Sequence, residues 1–246
     1  MRSGSTRTEQ IWRYRTDLPD LVFDQQFFDE DWLYANNAVH QKANAGRGVT
    51  LFVSLNGYSL VLRRYRRGGL VSRLSKRRYL WSGLEHSRPM REFDTLFRLE
   101  TLQLPASRAY AVELRRVAGG LAYEASLLTL RLDGSTLAEL LSRDSVPEST
   151  WSVIGHCIAT FHLARLQHAD LNAHNIMVEA GKAYLIDFDR SRWRSDKHDR
   201  SWMEKNLMRL HRSLSKVAGE NGAWQSGWLQ LKSSYADTLA EKSMIV

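Results

Sequence analysis

Apolar and polar residues alternate in the first half of the chain with the period of a β-strand. Apolar side chains occupy every second position from Val49 to Leu55. A period of two is typical of a strand with one buried face. The dipeptide Asn56-Gly57 favours a type I′ turn, so a second strand is expected from Tyr58 to Tyr65. The pattern therefore predicts a β-hairpin.

One helix and two further strands are predicted between this hairpin and residue 132. Phe93 and Leu96 recur at helical spacing and indicate a helix over about 88 to 102. Two apolar runs, 109 to 117 and 122 to 130, lie on either side of a Gly-Gly pair and indicate two strands. The first half of the chain is therefore expected to form a sheet with one helix inserted after its early strands.

The apolar pattern becomes helical after Leu132. In one segment the apolar residues fall at i, i+3, i+4 and i+7, which is the spacing of one helix face; they are Ile154, Cys157, Ile158 and Phe161. Helical spacing predicts four helices in all, at 136 to 142, 149 to 165, 199 to 218 and 222 to 240. We therefore place the boundary between two lobes near Leu132.

The whole pattern predicts one α+β domain with two lobes. The N-lobe, residues 45–132, is expected to contain a mainly antiparallel sheet, and the C-lobe, residues 133–246, to be helical. Residues 1–44 are polar and mixed and are expected to form an N-terminal extension. Its aromatic residues suggest a short amphipathic element that packs onto the domain; they are Phe23, Phe27, Phe28 and Trp32.

Composition excludes disorder and an internal disulfide. The 246 residues are 43% hydrophobic and include 8 Trp, 9 Tyr and 8 Phe, which is globular composition. The single cysteine, Cys157, has no partner for a disulfide and indicates a reducing compartment. Its position among apolar residues at helical spacing predicts a buried core thiol rather than a nucleophile.

Charge indicates an anionic partner. The formal net charge is +8, and nucleotide, nucleic acid, phospholipid headgroup and phosphorylated glycolipid are all compatible with it. The N-terminal sequence MRSGSTRTEQIWRYR has no apolar stretch typical of a signal peptide. No segment approaches the roughly 18 uninterrupted apolar residues of a spanning helix. We therefore expect a cytoplasmic protein, soluble or bound at a membrane face.

The segment from His168 to Asp189, HADLNAHNIMVEAGKAYLIDFD, concentrates the candidate chemistry. Its order, H-x-D-L-x-x-x-N followed by I-D-F, is the signature of a kinase catalytic loop and of the metal-binding aspartate that follows it. A lone H-x-D is common by chance, and an aspartate in a loop is usually a turn former. Five matching identities in order, directly after a long amphipathic helix, favour a phosphotransferase site.

The residues of this segment fit distinct roles in phosphoryl transfer. Asp170 is expected to orient the attacking hydroxyl and accept its proton. Asn175 and Asp187 supply the hard oxygen ligands that Mg²⁺ prefers, and the strand-turn-strand between them can bring both to one metal ion. Asn172 is placed to hydrogen-bond the transferring phosphoryl group or the acceptor. His168 is expected to order the loop backbone rather than transfer protons.

The candidate nucleotide site lies in the first half of the chain. Gly46 and Gly48 precede the hairpin and could present backbone N–H groups to phosphate oxygens, although such glycines are also typical of an ordinary turn. Arg63 stands where a kinase strand normally carries lysine, and would hold the α/β-phosphates with its planar fork. The residues from Leu130 to Leu132 are the expected hinge whose backbone meets adenine.

An acidic residue on the following helix is expected to hold Arg63 in place. Glu92 is the best candidate, with Glu85 and Glu100 as rivals. The alternative is that Glu92 is a solvated helix residue.

These features together resemble the protein-kinase-like fold and, within it, bacterial 3-deoxy-D-manno-octulosonic acid (Kdo) kinases. HADLNAHNI and LIDFD carry the first resemblance, and LVLRRYRRGG with the short chain carries the second. The resemblance spans roughly Gly46 to Leu214. It implies ATP-dependent phosphorylation, with Mg²⁺, of the 4-hydroxyl of Kdo on a Kdo–lipid A precursor. The place implied is the cytoplasmic face of the bacterial inner membrane, by peripheral association.

Two groups of bases suit such an anionic glycolipid, and no nucleic acid partner is expected. The first group comprises Arg63, Arg64, Arg66, Arg67, Arg73, Lys76, Arg77 and Arg78. The second includes Arg190, Arg192, Arg194, Lys197 and Arg200. Trp193 and Trp202, near the second group, are candidates for a membrane interface, the alternative being ordinary buried tryptophans.

Two departures from the protein-kinase sequence pattern argue against a protein substrate. Asp189 stands where the glycine of the metal-binding loop would be, and no A-P-E segment follows. A protein substrate and a phosphorylated activation loop are therefore not expected. Two alternatives stay open. One is a kinase of another core sugar such as heptose, or of an unrelated small hydroxylated substrate; the other is a non-catalytic, basic, pseudokinase-like module that binds an anionic membrane or nucleic acid.

Overall fold

The computed structural model describes residues 1–5, 10–45, 48–65, 79–80, 83–117, 122–196, 198–219 and 223–243. The chain divides into two compact units. The first contains Met1–Phe97 and Arg108–Arg131, and the second contains Arg98–Ser107 and Leu132–Val246. Each unit contains one half of the candidate chemistry.

An antiparallel sheet forms the centre of the first unit. Within the described ranges its eight strands are β1 (Arg2–Ser5), β2 (Gln10–Tyr14), β3 (Val39–Ala45), β4 (Gly48–Leu55), β5 (Tyr58–Arg64), β6 (Tyr79–Leu80), β7 (Ala109–Val117) and β8 (Ala122–Leu130). Their spatial order is β1-β2-β7-β8-β5-β4-β3, with β6 also paired to β8. The strands predicted at 109 to 117 and 122 to 130 are confirmed.

The hairpin of β4 and β5 has the predicted turn. Asn56 and Gly57 have positive φ angles of 49° and 82°. Two successive positive φ angles define the type I′ turn, whose twist matches that of paired strands. Leu51 and Val53 are each 1% exposed, so the alternation predicted from the sequence corresponds to a buried face. The hairpin also fixes the register of Arg63, which lies opposite Leu127 of β8.

The N-terminal residues contribute more to the fold than the sequence analysis predicted. Strands β1, β2 and β3 belong to the sheet, although their short and largely polar sequences gave no clear alternation. The predicted amphipathic element is present as a 3₁₀ helix, Gln25–Phe28, followed by helix α1 (Glu30–Ala35). Phe27 and Phe28 are buried in the same core as the hairpin.

Helix α2 (Arg88–Thr101) follows the early strands, as predicted. Met90 and Phe93 are fully buried, and Leu96 is 2% exposed. Glu92 lies on the same buried surface at 2% exposure. A carboxylate at such a position requires a cation or hydrogen-bond donors, because burial of an unpaired charge is costly.

The second unit is mainly helical. Its helices are α3 (Leu137–Ser142), α4 (Glu148–Leu163), α5 (Ser201–Ala218) and α6 (Ala223–Ser243). Its short strands are β9 (Ser135–Thr136), β10 (Leu166–Gln167), β11 (Ile176–Glu179), β12 (Lys182–Leu185) and β13 (Arg192–Trp193). Strand β11 pairs with β12 and β9, and β10 pairs with β13. The α+β class predicted from the sequence, with a sheet first and helices after it, is confirmed.

Helices α4 and α6 form the core of the second unit. A side chain at Gly155 would place its Cβ 2.2 Å from the carbonyl oxygen of Leu231, so only glycine permits this close approach of the two backbones. Cys157 is 3% exposed, and burial raises the pKa of its thiol, in line with the predicted core position. Across the described ranges, no helix has the length and apolar character needed to span a bilayer.

Candidate active site

His168 connects the two parts of the catalytic segment. Its side chain is buried, with Nδ1 accepting a hydrogen bond from the Asp170 backbone N–H at 3.3 Å. Nε2 lies 3.0 Å from the Ile186 carbonyl oxygen, to which it must donate because a carbonyl only accepts. Burial lowers the pKa of His168, which favours this neutral tautomer. His168 therefore links the loop backbone at Asp170 to Ile186, the residue before Asp187.

Two asparagines hold the backbone of Asp170. The Nδ2 atoms of Asn172 and Asn175 each donate to the Asp170 carbonyl oxygen at 2.9 Å. Asn172 Oδ1 accepts from the His174 N–H at 2.9 Å and so caps the 3₁₀ helix Ala173–Asn175. Both polar atoms of Asn172 thus hold the loop, whereas in the described part of the chain Oδ1 of Asn175 has no hydrogen-bond partner.

The hairpin of β11 and β12 brings the two candidate metal ligands to one end. Its turn residues, Ala180 and Gly181, have φ angles of 47° and 75°. Asn175 lies directly before β11 and Asp187 shortly after β12, and the Ile186 N–H donates to the Asn175 carbonyl oxygen at 3.1 Å. Asp187 itself has a positive φ of 66°, a conformation that aspartate tolerates better than most residues.

A buried chain of hydrogen bonds ends on the backbone of the catalytic loop at His168. Tyr235 Oη lies 2.8 Å from His162 Nδ1, and His162 Nε2 lies 3.3 Å from Asn206 Oδ1. Asn206 Nδ2 then donates to the His168 carbonyl oxygen at 2.8 Å. Desolvation by burial lowers the pKa of His162 to about 4. The chain therefore runs from the Tyr235 hydroxyl through a neutral imidazole to the loop backbone.

Arg209 of α5 contacts the candidate base directly. Its Nε and Nη2 atoms donate to Oδ1 of Asp170 at 3.0 and 2.7 Å. The two side chains are 48% and 49% exposed. The sequence analysis did not identify Arg209, because 39 residues separate it from Asp170 and no spacing rule connects a helix to a preceding loop over that distance.

In the first unit, Arg63 and Glu92 form the expected pair. Arg63 Nη2 donates to both carboxylate oxygens of Glu92, and the Tyr65 hydroxyl donates to Oε2. Arg63 also lies over the Tyr65 ring, with Cζ 5.1 Å from its centroid. Glu85, one of the rivals, pairs instead with Arg13. Glu92 is therefore a buried partner of Arg63 and not a solvated helix residue.

The other predicted nucleotide-site residues are only partly described. Gly46 lies outside the described residues, and Gly48 begins β4 opposite Ala45. Leu130 ends β8, and its N–H donates to the Arg108 carbonyl oxygen at 2.8 Å. Leu132 is the first residue of the long segment of the second unit. The expected hinge is therefore the point at which the chain passes from one unit to the other.

The proposed glycolipid surfaces are partly outside the described residues as well. From the first basic group only Arg63 and Arg64 are described, and Lys197 of the second group is not. Of the two interpretations of Trp202, the structure supports the buried tryptophan, because this side chain is 3% exposed and packs edge-on against His162. Trp193 is half-buried, with Arg98 Cζ 3.7 Å from its ring centroid.

Comparison with known proteins assigns the family. Residues 30–235 match the model of the lipopolysaccharide kinase (Kdo/WaaP) family. The chain belongs to this family. It is 40% identical over 182 residues to the 3-deoxy-D-manno-octulosonic acid kinase of Xylella fastidiosa strain M12, covering 74% of this chain and 72% of the relative. It is 34% identical over 228 residues to the enzyme of the same name from Haemophilus influenzae strain KW20, covering 88% and 93%.

A third relative supports the family, and one solved structure shows the fold. The 3-deoxy-D-manno-octulosonic acid kinase of Vibrio parahaemolyticus is 39% identical over 216 residues, covering 84% of this chain and 88% of the relative. The structure of WaaP in complex with acyl carrier protein has a TM-score of 0.53, at 15% identity, covering 87% of this chain and 86% of that one. This likeness shows the fold, which is protein-kinase-like. Membership of the lipopolysaccharide kinase family, together with the named relatives, makes the chain a kinase, and kinase chemistry implies the use of ATP.

Proposed function

We propose that this lipopolysaccharide kinase transfers the γ-phosphoryl group of Mg-ATP to the 4-hydroxyl of Kdo on a Kdo–lipid A precursor. The acceptor sugar is inferred from the 34% to 40% identity to relatives named 3-deoxy-D-manno-octulosonic acid kinase. The geometry of the catalytic segment supports the reaction type, because phosphoryl transfer depends on positioning and charge neutralisation.

Asp170 is the proposed base. Asn172, Asn175 and His168 hold its backbone, while its carboxylate is half-exposed and accessible to an acceptor. Arg209 occupies Oδ1, and across the described ranges Oδ2 has no hydrogen-bond partner. Oδ2 is therefore the oxygen that would receive the proton of the attacking hydroxyl.

Asn175 and Asp187 are the proposed Mg²⁺ ligands. The hydrogen bond from Asn175 Nδ2 to Asp170 fixes the amide so that its oxygen is presented as a ligand, and Asp187 contributes a carboxylate. This donor set fits Mg²⁺, which takes hard oxygen ligands and needs few of them from the protein. When bound, the ion would neutralise charge on the phosphate oxygens. The hairpin keeps the two ligands at one end of β11 and β12.

Arg63 is the proposed phosphate ligand in the first unit. Glu92 contacts its guanidinium and Tyr65 lies beside it, which favours one orientation, and the Arg63 side chain is 28% exposed. An arginine presents a planar fork to phosphate oxygens where lysine presents a point charge. The backbone at Gly46 and Gly48 would add N–H groups to the phosphates, and the residues from Leu130 to Leu132 would meet adenine.

The acceptor determines the proposed location. A Kdo–lipid A precursor is an anionic membrane glycolipid, so the enzyme would work at the cytoplasmic face of the inner membrane by peripheral association. The net charge of +8 supports attraction to such a surface, and no nucleic acid partner is expected.

A mass-spectrometric acceptor panel tests the proposal. Purified protein is incubated with ATP and Mg²⁺ together with a Kdo–lipid A precursor, a heptose-containing acceptor or a generic protein substrate. We expect one added phosphate on the Kdo acceptor, absent from the Asp170→Asn variant. Phosphorylation of heptose and not of Kdo would contradict the acceptor. Binding of anionic vesicles without phosphorylation of any acceptor would instead support the non-catalytic alternative.

A further inference from the structure

Helix α5 contacts the catalytic loop through three side chains at i, i+3 and i+7. Asn206 donates to the His168 carbonyl oxygen and Ser213 Oγ accepts from the Ala173 N–H at 3.1 Å, so both act on the backbone. Arg209, between them, acts on the Asp170 side chain. Arg209 therefore differs from its two neighbours, because it contacts a side chain of the loop while they contact its backbone.

The hydrogen bonds of Arg209 leave one N–H edge of its guanidinium, the edge that includes Nη1, available to a ligand. A two-pronged arginine–carboxylate pair joins two nitrogens to two oxygens. Here Nε and Nη2 both donate to Oδ1 of Asp170. Nη1 has no hydrogen-bond partner in the part of the chain that the structure describes, and about half of the side chain is exposed. Arg209 can therefore bind a second anion while it remains on Asp170.

Fold stability does not account for this cation. Pairs with both partners half-exposed contribute little to stability, because water and salt screen them. The Arg209 guanidinium lies beside the proposed base, and the acceptor hydroxyl must bind next to that base. A negative charge on the acceptor close to this hydroxyl would therefore lie near Nη1. An arginine fork matches the planar geometry of a carboxylate.

We propose that Arg209 recognises the carboxylate of the acceptor and so selects a sugar acid over a neutral sugar. The inference rests on the proposed function, in which the acceptor is 3-deoxy-D-manno-octulosonic acid, while heptose, the rival acceptor, has no carboxylate. One guanidinium would then connect the base and the acceptor, and would place the hydroxyl to be phosphorylated near Oδ2 of Asp170.

A comparison of two acceptors with three proteins tests this role. The acceptors are the Kdo–lipid A precursor and the same molecule with its Kdo carboxylate converted to a carboxamide. The proteins are wild type, Arg209→Gln and Arg212→Gln, the last removing the same charge three residues along α5. We expect Arg209→Gln to raise the KM for the acid acceptor roughly ten- to a hundredfold, the loss typical of a charged hydrogen bond, with the KM for ATP unchanged.

The amide acceptor separates recognition from positioning. The KM of the wild type should rise by a similar factor when the acid acceptor is replaced by the amide. On the amide, Arg209→Gln should have a KM close to that of the wild type, because the carboxylate that the arginine binds is already absent. Arg212→Gln should behave as wild type. An equal loss for Arg209→Gln on acid and amide would overturn the inference and make Arg209 a positioning residue for Asp170.

Folding and the proposed function are controlled separately. The thermal unfolding midpoint of each variant is measured, and Arg209→Lys, which keeps the charge but not the fork, should recover part of the acceptor affinity. A wild type that phosphorylates neither acceptor would contradict the proposed function itself. An active wild type with unchanged acceptor KM in Arg209→Gln contradicts only the role of Arg209.

Discussion

The two units contain arginine–carboxylate pairs that differ chiefly in burial. In the first unit, Glu92 is 2% exposed, and both its oxygens bind Arg63. In the second unit, Asp170 and Arg209 are each about half-exposed and share a single carboxylate oxygen. The first carboxylate serves to hold its arginine. In the second, Oδ2 of Asp170 has no hydrogen-bond partner in the described part of the chain and is the oxygen proposed to accept the proton.

This difference shows how burial assigns a role to the same chemical pair. A buried carboxylate without its cation is costly, so the Arg63–Glu92 pair constrains both partners to one geometry. An exposed pair can exchange with water or with substrate at little cost. A residue that must meet a reacting group therefore belongs to the exposed pair, and a residue that must keep a fixed orientation belongs to the buried one.

The largest expected effect is on catalysis at the exposed pair. Asp170→Asn removes the proposed base but keeps the size of the side chain, so we expect the rate of phosphoryl transfer to fall by about 10²- to 10⁴-fold. The free energy of unfolding should change by no more than about 0.5 kcal/mol, because the side chain is half-exposed. Steady-state kinetics and urea unfolding measure the two quantities. Full activity would remove Asp170 from the mechanism.

The next largest effect is on stability at the buried pair. Glu92→Ala leaves the Arg63 guanidinium and the Tyr65 hydroxyl without their carboxylate, and should lower the free energy of unfolding by about 3–4 kcal/mol. Glu85→Ala is the matched control, since Glu85 pairs with Arg13 but is 62% exposed. Its loss should cost less than about 1 kcal/mol. Equal destabilisation by both changes would show that burial does not distinguish the pairs.

A third effect is the pH dependence of stability that arises from His162, in the buried hydrogen-bond chain that contacts the loop of Asp170. Burial lowers the pKa of His162 from its usual value of 6.5 to about 4, so between these values the unfolded chain binds a proton that the folded chain does not. The free energy of unfolding is therefore unaffected by the titration of His162 above pH 6.5. As the pH falls toward 4, it decreases by up to about 3 kcal/mol.

Urea unfolding at a series of pH values measures this loss. His162→Gln should flatten the fall in unfolding free energy between pH 6.5 and 4, whereas His156→Gln, which removes an exposed histidine of the same helix that contacts Thr238, should leave this slope unchanged. An unaltered slope in His162→Gln would show that His162 is not the group responsible.

Sequence patterns predicted the local structure of the segment from His168 to Asp187, because its determinants are local. The interval from His168 to Asp187 contains the loop, the hairpin and its turn, so residue spacing alone indicates which groups meet. The predicted contact of Arg63 with Glu92 is confirmed as well, since a strand and the next helix supply them in a recognised order. The assignment of catalytic and ligand roles to these residues stays a prediction.

Contacts that depend on tertiary packing were not predictable. Arg209 reaches Asp170 only because α5 returns to the catalytic loop, and the period of the helix does not reveal what its exposed side chains meet. Trp202 lies in a basic segment but is buried against His162. The strands at 10–14 and 39–45 are stabilised by pairing with neighbouring strands, and their own sequences show weak alternation.

The KM values of two lysine variants test the central claim most directly. Arg63→Lys and Arg209→Lys each keep the charge and remove the fork. We expect Arg63→Lys to raise the KM for ATP with little change in the KM for the Kdo acceptor, and Arg209→Lys to do the reverse. If Arg209→Lys raised the KM for ATP, or Arg63→Lys that for the acceptor, the division between a buried nucleotide pair and an exposed acceptor pair would be wrong.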